Sequence, residues 1–200
     1  GGQYCYLDWR LWPGKFPYAS GVSVHEPLFV RTYNLAQYDF GLYECGPMAG
    51  LETTAAGVYG TLYHNRVWNE NLVVLANMNK DAVACSLADP GAALALTGDA
   101  GPTVVYDIHG RSAVTADDGR AGASFVNVPL EPNEVRLLHV RKVAAGAAYH
   151  QWGGKRISEA WDAAGRRLSL RLQGPGGMEG VQRLAVRRDW RQRLVAAHRR

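Results

Sequence analysis

The chain lacks most of what would announce a chemistry. Its longest uninterrupted apolar stretches, such as Leu72 to Ala76, fall far short of the roughly 18 to 20 residues a membrane-crossing helix needs. Cys5, Cys45 and Cys85 are widely separated and have neither the paired spacing of a zinc site nor that of a redox motif. Three reduced, buried thiols are therefore expected ahead of one disulfide with a leftover thiol, and the compartment stays open. Six histidines (25, 64, 109, 139, 150 and 198) are scattered without ligand spacing, so no metal is expected. Ser20, Ser23 and Ser158 have no nucleophile-elbow context. Gly174-Pro-Gly-Gly177 has no Lys-Ser/Thr of a phosphate loop and reads as a turn, and no motif calls for a cofactor. Internal repeats and low-complexity tracts are also absent.

What is present is the composition of a globular chain, with 47% hydrophobic and 20% charged residues over 200 positions. The charge is unevenly placed. Residues 1 to 140 hold 8 Lys/Arg against 14 Asp/Glu, whereas residues 141 to 200 hold 14 against 4. This change from acidic body to basic end places a boundary at Val143 to Ala148. The opening Gly1-Gly-Gln3 runs straight into Tyr4-Cys-Tyr-Leu-Asp-Trp9, which reads as the interior of a fold, and a piece of a longer protein is expected.

Three segments follow from the pattern. Residues 1–56 are ring-rich, with Trp9, Trp12, Phe16, Tyr18, Tyr33, Tyr38, Phe40 and Tyr43 interrupted by Pro13-Gly14, Pro17 and Gly46-Pro47. Such breakers allow only short elements, and so many rings need a partner surface. Residues 57–142 carry short β-branched and aromatic runs at close spacing. Tyr59 to Trp68 and Asn71 to Asn77 read as a hairpin around Asn69-Glu70, and Val83, Cys85 and Leu87 share one face of a further strand. Thr103 to Tyr106, Phe125 to Leu130 and Val135 to Val140 complete about six or seven strands, the signature of an antiparallel β-sandwich. Residues 143–200 read as the start of a second β unit. In it Gly153-Gly154 suits a tight turn, Leu168, Leu170 and Leu172 alternate with Arg167, Ser169 and Arg171, and Val181 to Val186 resumes the pattern. Residues 187–200 fit strand or helix equally.

Tyr63-His-Asn-Arg-Val-Trp68, Asn71-Leu-Val-Val-Leu-Ala-Asn77, Val104-Val-Tyr-Asp107 and the Val-x-Val-Pro-Leu-x-Pro-x-Glu-Val-Arg-Leu-Leu run from Val126 to Leu138 occur in that order. Together they resemble the β-sandwich that follows the catalytic barrel in α-amylase-like and related glycoside hydrolases. Leu170 to Gly180 resembles strand and loop passages of accessory sandwiches in the same enzymes. The resemblance implies a mainly β chain, in which residues 1–56 are the C-terminal remnant of a (β/α) barrel, 57–142 the accessory sandwich and 143–200 a partial second β unit. It implies a carbohydrate substrate met through the parent enzyme, packing against an upstream barrel, and catalytic carboxylates lying mostly or wholly before Gly1.

Glycosidic hydrolysis needs two carboxyl groups flanking the scissile bond. Within residues 1–56, Glu26 follows the short apolar strand Val22-Ser-Val24 as a barrel-top residue would. Asp8 stands beside Trp9, whose indole could stack on a sugar while the carboxylate bonds its hydroxyls. A surface loop carboxylate and a core indole account for the same residues. For carbohydrate contact the rings to consider are Trp9, Trp12 and Trp152, and an alternative reading, a carbohydrate-binding or structural β-sandwich module, takes Trp152, Trp161 and Trp190 as a stacking platform. Trp161 shares a strand face with Ile157 and Glu159 and is expected in the core. The arginines from Arg183 to Arg200, with Trp190 among them, could track a nucleic-acid backbone, but a solvated sheet face explains them as well and is preferred.

Overall fold

The computed structural model describes residues 40, 45–46, 48–97, 101–108, 112–116, 121–173 and 182–186. Asp8, Glu26, Trp9 and Trp12 lie outside them. The fold is mainly β, with every ladder antiparallel. A six-stranded sheet comprises β1 (Ala49–Leu51), β2 (Val58–Asn65), β3 (Glu70–Asn77), β5 (Thr103–Asp107), β6 (Ser112–Ala116) and β8 (Val135–Lys142), in the order β1-β2-β3-β8-β5-β6. Two-stranded ladders join β4 (Val83–Cys85) to β7 (Val128–Leu130), β10 (Lys155–Asp162) to β11 (Arg167–Gln173), and β9 (Tyr149–Trp152) to β12 (Arg183–Ala185). A short helix, α1 (Pro90–Leu94), starts at Asp89, whose carboxylate accepts from the Gly91 amide with Pro90 in the first turn. A 3-10 turn spans Gly122–Phe125.

The sheet is buried on both faces because its central strands are apolar at odd and even positions alike. Val73 and Leu75 of β3, Val105 of β5 and Leu138 and Val140 of β8 point to the first face. There they meet Cys85, Leu87, Val128 and Leu130 of the β4–β7 region, Ala93 of α1 and Phe125. Leu72, Tyr63, Tyr106 and Leu137 point to the second face, where Phe40 and Trp152 join them. Cys85 is a buried free thiol, as expected, whereas Cys45 is only half-buried.

Polar residues at strand ends decide where strands stop. The β2–β3 connection lies at residues 66–69 rather than at Asn69-Glu70, because Asn65 Oδ1 accepts from the Val67 and Trp68 amides at 2.9 and 3.2 Å and turns the chain early. Asn69 then takes a φ of +50°, which frees Glu70 to open β3. Phe125 closes the 3-10 turn instead of entering a strand, so β7 begins only at Val128. Gly153 and Gly154 both have positive φ, +107° and +71°, as a tight turn needs. The strands on either side of that turn find other partners: β9 pairs with β12, and β10 pairs with β11 through a loop closed by Asp162 Oδ1 on the Ala164 and Gly165 amides. A register shift between Arg156 and Ser158 puts Ile157 in a bulge, so Arg156, not Ile157, faces inward with Glu159 and Trp161.

Candidate functional site

Beside the apolar patch of the second face lies a buried cluster of charge. Glu70 opens β3, one residue before the pair Asn71–Val140. His139 and Arg141 sit at alternate positions of β8, level with Tyr106 and Val104 of β5, and the three project to the same face. Arg156 and Glu159 of β10 close over them. Glu70 and His139 are each only 4% exposed.

Every contact in the cluster crosses between elements or spans the β10 bulge. His139 Nε2 donates to Glu70 Oε2 at 3.0 Å, and Arg156 Nη2 donates to Glu70 Oε1 at 2.5 Å. Arg141 Nε lies 3.1 Å from the same Oε1, near enough to pair as an ion without hydrogen-bond alignment. Glu159 accepts from Arg156 Nη1 at 2.8 Å and from Arg141 Nη1 at 3.2 Å, and its Oε1 takes the His150 amide at 3.1 Å. Arg141 Nη1 also donates to the His150 carbonyl at 2.8 Å. Trp68 covers Arg156, with the guanidinium carbon 4.1 Å from the ring centroid, and Tyr149 lies under Arg141 at 5.2 Å. Two carboxylates and two guanidiniums thus satisfy one another where an unpaired charge would be prohibitive.

These surroundings decide the protonation states. Burial pushes the Glu70 carboxyl up, but the charge and hydrogen bond of His139, with Arg141 and Arg156 beside it, outweigh burial and hold it well below the usual carboxylate range. Burial pushes His150 down, even though its Nε2 faces the Gly153 carbonyl at 2.8 Å and Gln182 Oε1 at 3.2 Å, so the neutral ring carries its proton on Nε2. A second ion cluster, at the sheet end, joins Arg136 to Asp107 and Glu134 at 2.8 and 2.7 Å. There burial lowers the arginine, and the two carboxylates more than restore it.

Glu70 is tied into this cluster in its ionised form. A glycosidase acid has its carboxyl raised by its surroundings, and Glu70 is moved the opposite way. Among the described residues no group of three or more His, Cys, Asp and Glu could hold a metal ion, and no helix is long and apolar enough to cross a membrane.

Of the three tryptophans considered for carbohydrate contact, Trp152 alone lies among the described residues. It is 6% exposed, with its indole edge-on to His139. Trp161 is half-buried on the inner face of β10. Sequence reasoning placed Glu70 in a turn and left His139 and Arg141 without a role. The available signal was His139 occupying the inward phase of Val135, Leu137 and Arg141, where a polar residue needs a buried partner. Neither a family model nor a curated protein matches the chain.

Proposed function

We propose that this chain is the C-terminal, largely non-catalytic portion of an enzyme that hydrolyses glycosidic bonds. In this reading strands β2 to β8, within residues 57–142, form the accessory β-sandwich. Residues 1–56 end the catalytic barrel and lend β1 to the sheet edge, and 143–200 begin a further, basic β unit.

The observation that carries the reading is how the second sheet face is used. A free-standing antiparallel sheet leaves one face to water. Here that face receives Phe40 from the N-terminal side and Trp152, Arg156 and Glu159 from the C-terminal side, clamped by buried charge. A sheet covered in this way holds neighbouring parts of a larger protein together, which is the role of the sandwich in the enzymes that the 57–142 motifs resemble. The charge cluster supports a structural role as well, since both of its carboxylates are tied to the same two arginines.

The test is a panel of aryl α- and β-glycosides, together with electrophoresis through polysaccharide gels. The chain alone is expected to give no turnover and no retardation. Turnover lost in Glu70→Gln or Glu159→Gln would contradict the reading, and so would retardation lost in Trp152→Ala. Salt-dependent retention of residues 141–200 on a polyanion, abolished when the arginines are replaced, would point to nucleic acid instead.

A further inference from the structure

His139 is the side chain of the cluster that meets Phe40 as well as Glu70 and Trp152. Phe40 lies at one side, its ring centroid 5.6 Å away with the planes at 78°, and Trp152 at another, 5.5 Å away at 61°. Among the described residues the polar partner of the imidazole is Glu70, and none lies within hydrogen-bond reach of its buried Nδ1. Its orientation is thus set by one carboxylate and two ring edges. Each of these is tied in turn. Asn65 Nδ2 donates to the Phe40 carbonyl at 2.6 Å, which ties Phe40 to β2. Trp152 leads through Gly153-Gly154 to Arg156, which returns to Glu70. The contacts form a closed circuit: Trp152 to His139 to Glu70 to Arg156, and through the turn back to Trp152, with Phe40 on its open side.

We propose that His139 is a joint that couples the segment around Phe40 to the C-terminal strands β9 and β10, so that loosening either one loosens the other. Removing the Phe40 ring leaves the imidazole unsupported on one side. The hydrogen bond to Glu70 and the Trp152 edge then hold it less firmly, and the Arg156 pair shares the disturbance. Side chains in one packed and hydrogen-bonded network couple in this way, whereas distant sites act independently. The coupling would exist whatever the parent enzyme acts on.

Hydrogen exchange of the full chain tests it, comparing Phe40→Leu, Trp152→Leu and His139→Gln, the last of which keeps a donor for Glu70 and loses the ring. Leu75→Ala, on the opposite sheet face, gives the baseline for a general loss of stability. Phe40→Leu is expected to speed exchange in 149–152 and 155–162 by about fivefold or more over that in β4 and β7, the lower end of measured couplings between sites. Trp152→Leu should do the same for peptides spanning Phe40, and in the His139→Gln background neither change should reach the other segment. An effect of Phe40→Leu confined to residues near 40 would overturn the proposal. So would a rise shared equally by β4 and β7, as in Leu75→Ala, or an undiminished effect in the His139→Gln background.

Discussion

Replacing Glu70 with Gln is the sharpest perturbation of the buried cluster. The amide keeps the shape but removes the charge that pairs with Arg141, and it turns an NH2 group toward one of the two donors from which the carboxylate now accepts, His139 Nε2 or Arg156 Nη2. Glu159 cannot neutralise both arginines alone, so a guanidinium is left buried beside a neutral side chain. Breaking a buried pair from one side costs about 3–5 kcal/mol. With a urea m-value of about 1–3 kcal/mol/M, the unfolding midpoint should fall by at least about 1 M. Glu134→Gln provides the contrast. Its pair with Arg136 is nearer solvent and Asp107 still holds that arginine, so a loss of about 1 kcal/mol or less is expected. Glu70→Leu combined with Arg156→Leu should cost less than the two single changes added together, because each leaves the other's partner stranded. A Glu70→Gln midpoint within about 0.5 kcal/mol of the parent, the ordinary scatter of surface changes, would refute the assignment of the cluster as the fastening between sheet and β10.

Acid titration provides a second expectation. Because Glu70 is held below its ordinary value of 4.5, its contribution is complete above that value and drains away as pH falls, a slope that Glu70→Gln should flatten in urea midpoints taken below about pH 5. His150 adds an earlier loss. Its folded form resists the proton that the unfolded chain accepts, so stability should begin to fall as pH drops through 6.5, and His150→Gln should remove that part of the slope. Gln151 is buried, with neither amide atom hydrogen-bonded among the described residues, and Gln151→Met should raise stability by about 1 kcal/mol, read from the urea midpoint, since it replaces two such polar groups at similar volume. Asn77, fully buried, donates to the Asp81 and Glu131 carbonyls and accepts the Asn79 amide. Asn77→Ala should cost about 1–3 kcal/mol and speed hydrogen exchange first in residues 79–81 and 131–134.

Strands were legible in the sequence where a single period ruled. Val135 to Val140 and the alternating Leu168, Leu170 and Leu172 fall in β8 and β11, and the inward phase of Cys85 and Leu87 is as read. Boundaries failed where a side chain took over the backbone's hydrogen bonds, as Asn65 does ahead of β3, or where a bulge changed the phase, as at Ile157. Pairing failed at Gly153-Gly154. The turn was right, but its two strands join different ladders, because partner choice is a tertiary property that local pattern does not encode. The charge cluster was hidden for a related reason. Glu70, His139, Arg141, Arg156 and Glu159 span nearly ninety positions of the sequence and become neighbours only once β8 lies between β3 and β5 and β10 folds over the sheet.

The most direct test of the proposed role is to read the source DNA upstream of the Gly1 codon. The account predicts several hundred in-frame codons that alternate strand and helix patterns, with acidic residues at strand ends where a barrel places its catalytic carboxylates. A start codon or signal peptide immediately before Gly1 would contradict it, leaving residues 1–56 with no barrel to complete.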